Sequence, residues 1–336
     1  MSADRLHPGD RVALRPPSDI LATLDGGGAL EGTLFMPEML ASFGRVFTVA
    51  KRVEKVCDTI CPVGSRRMQG VVFLENQRCD GAGHGGCQAA CRLYWKESWL
   101  ALMAPNALPP RPPGEAAVAK LRELAAANAR NRQDAGLFRC QATEMRRAST
   151  PLSVWDVRQY VREAQSGNVS WGTMLRITLL RALAWELLAK ARRPAGMLPR
   201  PRHVNVAAWA RPGRLDLQPG DWVEVRSAAE IAATLDAKNM NKGLYFSAPE
   251  MATECGKQFQ VRRRISRIIE ESTGRMLTFK NDCIELEGPL CRGDRSHGRW
   301  FCAREIYPYW REAWLKRVAA PPAAETSLVE RVGVNA

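Results

Sequence analysis

CDGAGHGGCQAACRLYWKESWL, residues 79–100, places three cysteines and one histidine in its first thirteen positions, then runs into a Trp-rich segment. Residues 291–315, CRGDRSHGRWFCAREIYPYWREAWL, are a second, imperfect copy. Cys79 matches Cys291, Cys87 matches Cys302, Trp95 matches Trp310, Glu97 matches Glu312, and Trp99-Leu100 matches Trp314-Leu315. The correspondence extends outward to the start of each copy. Pro8-Gly9-Asp10 matches Pro219-Gly220-Asp221, Thr23-Leu24-Asp25 matches Thr234-Leu235-Asp236, and Pro37-Glu38-Met39 matches Pro249-Glu250-Met251. The offset drifts only from 211 residues (Gly9 to Gly220) to 215 (Trp99 to Trp314). Self-similarity of this length marks a duplicated domain, since solenoid units are shorter and more numerous.

The 336 residues divide accordingly. A first repeat spans 1–103, a Pro-rich linker and helical connector 104–214, a second repeat 215–318, and a disordered tail 319–336. Within the repeats, PGDRVALR (8–15) and PGDWVEVR (219–226) read as a turn into a strand. Arg45–Val53 alternates as a second strand, and Met68–Glu75 is a third. Ser18–Asp25 reads as a short helix with Ser18 as its cap. The fold class is therefore mainly β with an α connector (α+β): two tandem pseudo-repeat small β-barrels of SH3-like type, joined by a helical, Pro-rich connector.

In the connector, Ala116–Arg132 and Val154–Glu163 have helical spacing, and Thr173–Arg193 is the most hydrophobic helix. Leu175, Leu179, Leu183 and Leu187 recur every four residues, with Arg176, Arg181 and Lys190 on a basic side. Two readings stand: a connector helix packed against the barrels, or an amphipathic helix (173–193) for peripheral membrane contact or a protein partner.

Composition sets the outer limits. Hydrophobic residues make up 46% and charged residues 25%, the values of an ordinary globular chain with ample core. No stretch has the length and apolarity of a transmembrane segment, and MSADRLHPGDRVALRPP has no apolar signal core, so the expected compartment is the cytoplasm. Ten cysteines there read as metal ligands or reduced thiols, not disulfides. The net charge of +14 fits nucleic acid, an anionic membrane surface or an acidic protein partner. A general bias towards Ala, Arg and Pro accounts for it equally well.

The first copy offers Cys57, Cys79, His84, Cys87 and Cys91 as a metal set, with Cys61 nearby. The core spacing is Cys-x4-His-x2-Cys-x3-Cys, interleaved with Gly81, Gly83, Gly85 and Gly86. A knuckle around thiolates needs tight backbone turns, which glycine supplies without steric cost. Such a soft donor set suits zinc or an iron–sulfur cluster, and the spacing separates neither. The second copy offers a sparser set: Cys283, Cys291, His297 and Cys302. There Cys91 has become Ile306 and Cys57 has become Ile269. Cys255 and Cys283 stand where the first copy has Phe43 and Val71, which favours small buried hydrophobes. Cys140, in FRCQATE, reads as an extra ligand from the connector or a thiol of its own. Trp95, Trp99, Trp310 and Trp314 read as core, with base stacking as the alternative. No phosphate loop, dinucleotide fingerprint, nucleophile elbow or metalloprotease helix motif is present. The carboxylates Asp25 and Glu38, with Asp236 and Glu250, read as structural contacts or acid–base groups.

The combination of GDWVEVRSAAEIAATLD, PEM, the Cys-Asp-Gly…His-Gly-Gly-Cys-Gln loop and YWREAWL resembles a family of bacterial proteins. Its members share the tandem layout, the FRCQATE segment and the WDVRQY helix. The resemblance implies that loop and Trp-rich tail are signatures of the family; no activity comes with it. The leading functional expectation is a metal-binding accessory or interaction protein. A nucleic-acid-binding protein and a metal-dependent redox or biosynthetic enzyme are the alternatives.

Overall fold

A computed structural model describes residues 5–61, 64–131, 133–190, 215–293, 296 and 299–321; for 181–190 it describes the backbone alone. The chain is mixed α and β, with many antiparallel strands and few helices. Each repeat builds one five-stranded sheet. In the first, β1 (Arg11–Leu14), β2 (Val46–Arg52), β3 (Val71–Leu74), β4 (Trp95–Lys96) and β5 (Leu100–Leu102) lie in the order β4-β3-β2-β1-β5. In the second, β6 (Trp222–Val225), β7 (Gln258–Arg264), β8 (Ile284–Leu286), β9 (Tyr309–Trp310) and β10 (Leu315–Val318) repeat that order. The last two strands of each set occupy opposite edges although one 3-10 turn, Glu97–Trp99 or Glu312–Trp314, joins them. The sheet must curl to allow this, and it forms a half-barrel. Both copies also carry a bulge at the same point, between Val49 and Lys51 and between Val261 and Arg263, which tightens the curl.

Most matched residues turn out to be structural pins. Arg52 donates to Glu97 Oε1 at 2.6 Å and to the Leu6 carbonyl at 2.7 Å; Arg264 donates to Glu312 Oε1 at 2.6 Å and to the Leu217 carbonyl at 2.8 Å. Trp99 and Trp314 are fully buried, and their indole N–H groups donate to Thr23 at 3.0 Å and Thr234 at 2.9 Å. Asp25 accepts the Gly27 and Ala29 N–H groups, as Asp236 accepts those of Lys238 and Met240, so both carboxylates close turns. The tryptophans are core, as read, and sit on edge strands and 3-10 turns. Ser18 does not cap the first helix, Pro17–Thr23; in the second copy Ser227 does cap Ala228–Ala233, in a reciprocal box with Glu230.

The connector supplies helices Glu115–Asn128, Gln141–Glu144, Arg158–Gln165 and Trp171–Lys190. Leu175, Leu179 and Leu180 are more than half exposed, so the described part of the last helix does not bury its leucines against the sheets. Among the described residues no helix is long and apolar enough to cross a membrane.

The two repeats meet through a reciprocal exchange. The first repeat inserts the hairpin Lys55–Asp58/Gly64–Arg67 after β2, and the second inserts Arg267–Ile269/Met276–Thr278 after β7. Each hairpin receives the cysteine loop of the other repeat. Gln88 N–H donates to the Arg267 carbonyl at 3.1 Å, and Ala303 N–H to the Lys55 carbonyl at 3.3 Å. Ile269 N–H reaches Cys87 Sγ at 3.3 Å, and Cys57 N–H reaches Cys302 Sγ at 3.1 Å. These contacts correspond pairwise under the repeat, which is the pattern of an isologous two-fold interface held within one chain.

Buried charge lies beside this seam. Burial pushes the Glu163 carboxyl up to about 7, although Asn168 Nδ2 donates to its Oε2 at 2.7 Å. The folded protein therefore holds that proton more tightly than the unfolded chain does, and the resulting stability fades as pH rises from the ordinary Glu range through 7. Glu163→Gln, which cannot ionise, is expected to match the parent at pH 5 and to exceed it at pH 8 by on the order of 2 kcal/mol. Urea unfolding at the two pH values checks this; equal differences at both would contradict it.

Candidate metal centre

The cysteine loop is closed at its neck by Cys79 N–H donating to the Cys91 carbonyl at 2.8 Å. Inside it, Gly81 has φ +77°, and a Cβ there would lie 2.0 Å from the Cys87 carbonyl oxygen. Only glycine permits so tight a turn, and the turn brings the loop cysteines round onto one side. Residues 82–84 form a 3-10 turn that carries His84 inward, where it is buried.

His84 ties three segments together. Its Nε2 lies 3.0 Å from the Arg139 carbonyl, which can only accept, so Nε2 carries a proton. Its Nδ1 lies 2.8 Å from Glu38 Oε1, and Glu38 is delivered by the 3-10 turn Pro37–Ser42. The same carboxylate oxygen accepts Gly83 N–H at 3.1 Å and lies 3.6 Å from Cys79 Sγ. Burial alone would raise the Glu38 carboxyl, but His84 and the Gly83 amide outweigh it and hold the group below its usual range. Glu38 Oε2 is buried with no hydrogen-bond partner. Among the described residues, Glu38, Cys79 and His84 are the one group of three or more metal-capable side chains whose atoms lie within 4.8 Å of one another. Three electron-rich atoms this close require a cation between them, either a proton or a metal.

Beside that cluster is a cavity of about 30 Å³, above the 10–15 Å³ or so that one water needs. Its lining includes Cys79, Cys87, Cys91 and Cys140, together with His84 and apolar neighbours such as Met36, Leu93 and Ile269. Cys140 arrives from the connector, at the N-terminus of the short helix Gln141–Glu144. Ile269 comes from the second repeat. Burial pushes the Cys91 thiol up to about 12 and the Cys140 thiol up to about 11. It also lifts Cys79 well above the usual thiol range, with Glu38 and Cys91 adding to the effect. Such thiols do not ionise unaided, whereas a bound metal cation deprotonates its thiol ligands outright.

Of the first predicted set, Cys79, His84, Cys87 and Cys91 line one cavity; Cys57 is not among the lining residues and contacts Cys302 across the seam. The second set is not gathered in the same way. Cys283 is buried among Arg311, Asp282 and Glu285, whereas Cys291 has Glu250 and Arg299 as charged neighbours. Cys302 pairs with Cys57, and His297 lies outside the described residues. Where the first copy has His84 on Glu38, the second has Ser296 Oγ donating to Glu250 Oε1 at 2.9 Å. Cys255 packs partly buried against the second core, as a small hydrophobe would. Glu38 reads from the sequence only as an undecided carboxylate and Cys140 only as an optional ligand. The repeated PEM motif was the available signal for Glu38; for Cys140 no local pattern existed.

No protein-family model, curated protein or solved structure matches the chain.

Proposed function

We propose that the chain is an iron–sulfur protein of accessory type, in which two SH3-like half-barrels frame one cluster held by Cys79, Cys87, Cys91 and Cys140. The observation that carries this reading is the spread of four thiols around one small, mostly apolar cavity. A zinc ion with sulfur at about 2.3 Å would draw its thiolates to within roughly 4 Å of one another. Among the described residues no three cysteines come within 4.8 Å of each other. A cluster interposes its own irons and sulfides between the thiolates and so spaces them more widely. When bound, it would supply one-electron chemistry.

The protein's own residues would serve that cluster in separate ways. His84 pins the 138–140 segment through the Arg139 carbonyl, which orients Cys140 towards the loop. The amide of Ile269, donated to Cys87 Sγ, is a contact of the kind that tunes thiolate potentials. The predominantly apolar lining suits a held group better than a substrate, which favours an accessory or electron-carrying role over an enzyme. The strand order, with a 3-10 turn before the last strand, supports the SH3-like description, and the free thiols fit a reducing cytoplasm.

A single ion at Glu38, Cys79 and His84 is the second reading, favoured by the convergence of those three atoms. Elemental analysis with an absorption spectrum on anaerobically purified protein separates the two. Iron with matching acid-labile sulfide and a brown chromophore is the expected result. One colourless zinc per chain would establish the single-ion reading, and absence of any metal would overturn both.

A further inference from the structure

Cys57 and Cys302 are 245 positions apart in the chain and meet at the seam, where Cys57 N–H donates to Cys302 Sγ at 3.1 Å. Both are buried, and among the described residues the pair belongs to no group of three metal-capable side chains with atoms within 4.8 Å of one another. A pair of adjacent thiols has the composition of an exchange centre. Cations surround it. Arg304, itself buried, donates to the Cys57 carbonyl at 3.4 Å, and Lys55 on the same strand holds a buried Nζ with no hydrogen-bond partner, 5.4 Å from the centre of the Tyr160 ring. Positive neighbours of this kind stabilise a thiolate. Donation from the Cys302 thiol holds Cys57 below the usual thiol range, and Cys302, which keeps the proton, is pushed up.

The pair also has an access route. Cys302 lines a second cavity, of about 150 Å³, with Lys51, Glu163, Asn168, Thr173 and Arg292. Glu163 is buried in that wall, and its Oε1 has no partner. The lining is mixed, with Val169, Ile177 and Phe301 beside the polar groups, and it is richer in charged side chains than that of the cysteine-lined cavity, so it admits a small molecule with polar ends.

We propose that Cys57 and Cys302 form a thiol–disulfide exchange site that reacts with low-molecular-weight disulfides entering through this cavity, independently of the metal centre. Cys302 first passes its proton to the Cys57 thiolate, which acts as the base, and Cys302, the member of the pair that lines the cavity, then attacks one sulfur of the disulfide R–S–S–R. One thiolate RS⁻ leaves. Cys57 then gives up its proton and attacks the Cys302 sulfur of the mixed disulfide, expelling the second thiolate. The sum is one thiol and one thiolate oxidised to a disulfide, and R–S–S–R reduced to one RSH and one RS⁻. The product bond would staple the two repeats together across the seam.

The test is to expose anaerobically purified full-length protein to graded ratios of oxidised to reduced glutathione, quench in acid, alkylate, and map cysteines by mass spectrometry. A Cys57–Cys302 cross-linked peptide is expected at ratios where Cys79, Cys91 and Cys140 do not form disulfides. It should revert with excess reduced glutathione while the far-UV circular dichroism stays constant. Cys302→Ser is expected to slow oxidation of Cys57 more than ten-fold; if that variant does not fold, the mapping of the parent protein decides alone. Glutathione adducts confined to exposed Cys61, or a cross-link that forms only as fast as the protein unfolds, would overturn the proposal. Iron measured on the same samples keeps the tests separate, since a cross-link in iron-free protein would leave this site standing and remove the cluster.

Discussion

Cys140→Ser, purified without oxygen, is expected to retain less than about a tenth of the parent's iron, because even outer partners of a metal are worth 10–100-fold in affinity. The position discriminates because it lies far outside the loop, 49 residues beyond Cys91. If Cys140 were only a small buried hydrophobe, exchanging sulfur for a hydroxyl would cost stability and leave metal content untouched. If it is the fourth ligand, iron, sulfide and visible absorption fall together. Stability falls too, because a metal that binds only the folded chain contributes its binding energy to folding. His84→Ala provides the contrast. In the cluster reading His84 orients a neighbouring segment, so its loss weakens iron binding less than Cys140→Ser does. In the single-ion reading the ranking reverses. Metal content of the two variants, measured side by side, decides between them.

Trp99→Ala is expected to cost about 3–5 kcal/mol, the range for truncating a large aromatic in a close-packed core. The side chain is fully buried, meets Phe35 edge-on at 5.4 Å between ring centres, and leaves Thr23 Oγ1 without its indole partner when removed. Trp314→Ala should cost a similar amount, since Phe246 meets it at 5.2 Å and Thr234 accepts its indole. What the pair of variants adds is a test of cooperativity. Each repeat's loop is completed by the other's hairpin, so both variants should unfold in one transition that is shifted as a whole. Two resolved transitions, with only one displaced in each variant, would mean that the seam contributes little to folding.

The correspondence of the two sheets was legible because its anchors are chemically unforgiving. A tryptophan that needs an apolar slot and one acceptor, or an aspartate that closes a turn, leaves the same letter in both copies. The strand order follows from no single stretch, and what identifies it is the contacts at the edges. The cysteine loop could be read from its glycines, and the structure gathers Cys79, His84, Cys87 and Cys91 on one cavity. Cys57 was assigned to that group because it is near in sequence, but its neighbour lies 245 positions away, and local spacing carries no information about the other repeat. Arginine has a role that its count does not show. Not all of it is surface charge: Arg52, Arg66, Arg304 and Arg311 are buried and tie loops and edges together through carbonyls and carboxylates. The leucines of Thr173–Arg193 were split between burial and exposure; Leu175, Leu179 and Leu180 stay largely in the open.

The exchange of loops between the repeats bears on how such a chain can change over generations. In a dimer of identical single repeats, every substitution would strike both copies of this contact at once, so neither half could drift without the other. In a single chain that constraint is absent, because each side of the contact is spelled separately. The two sides have already parted: Cys57 faces Cys302, while the mirror position sets Ile269 against Cys87. One half is thus free to keep an inherited chemistry while the other acquires a new one, and each still supplies a wall of its neighbour's site.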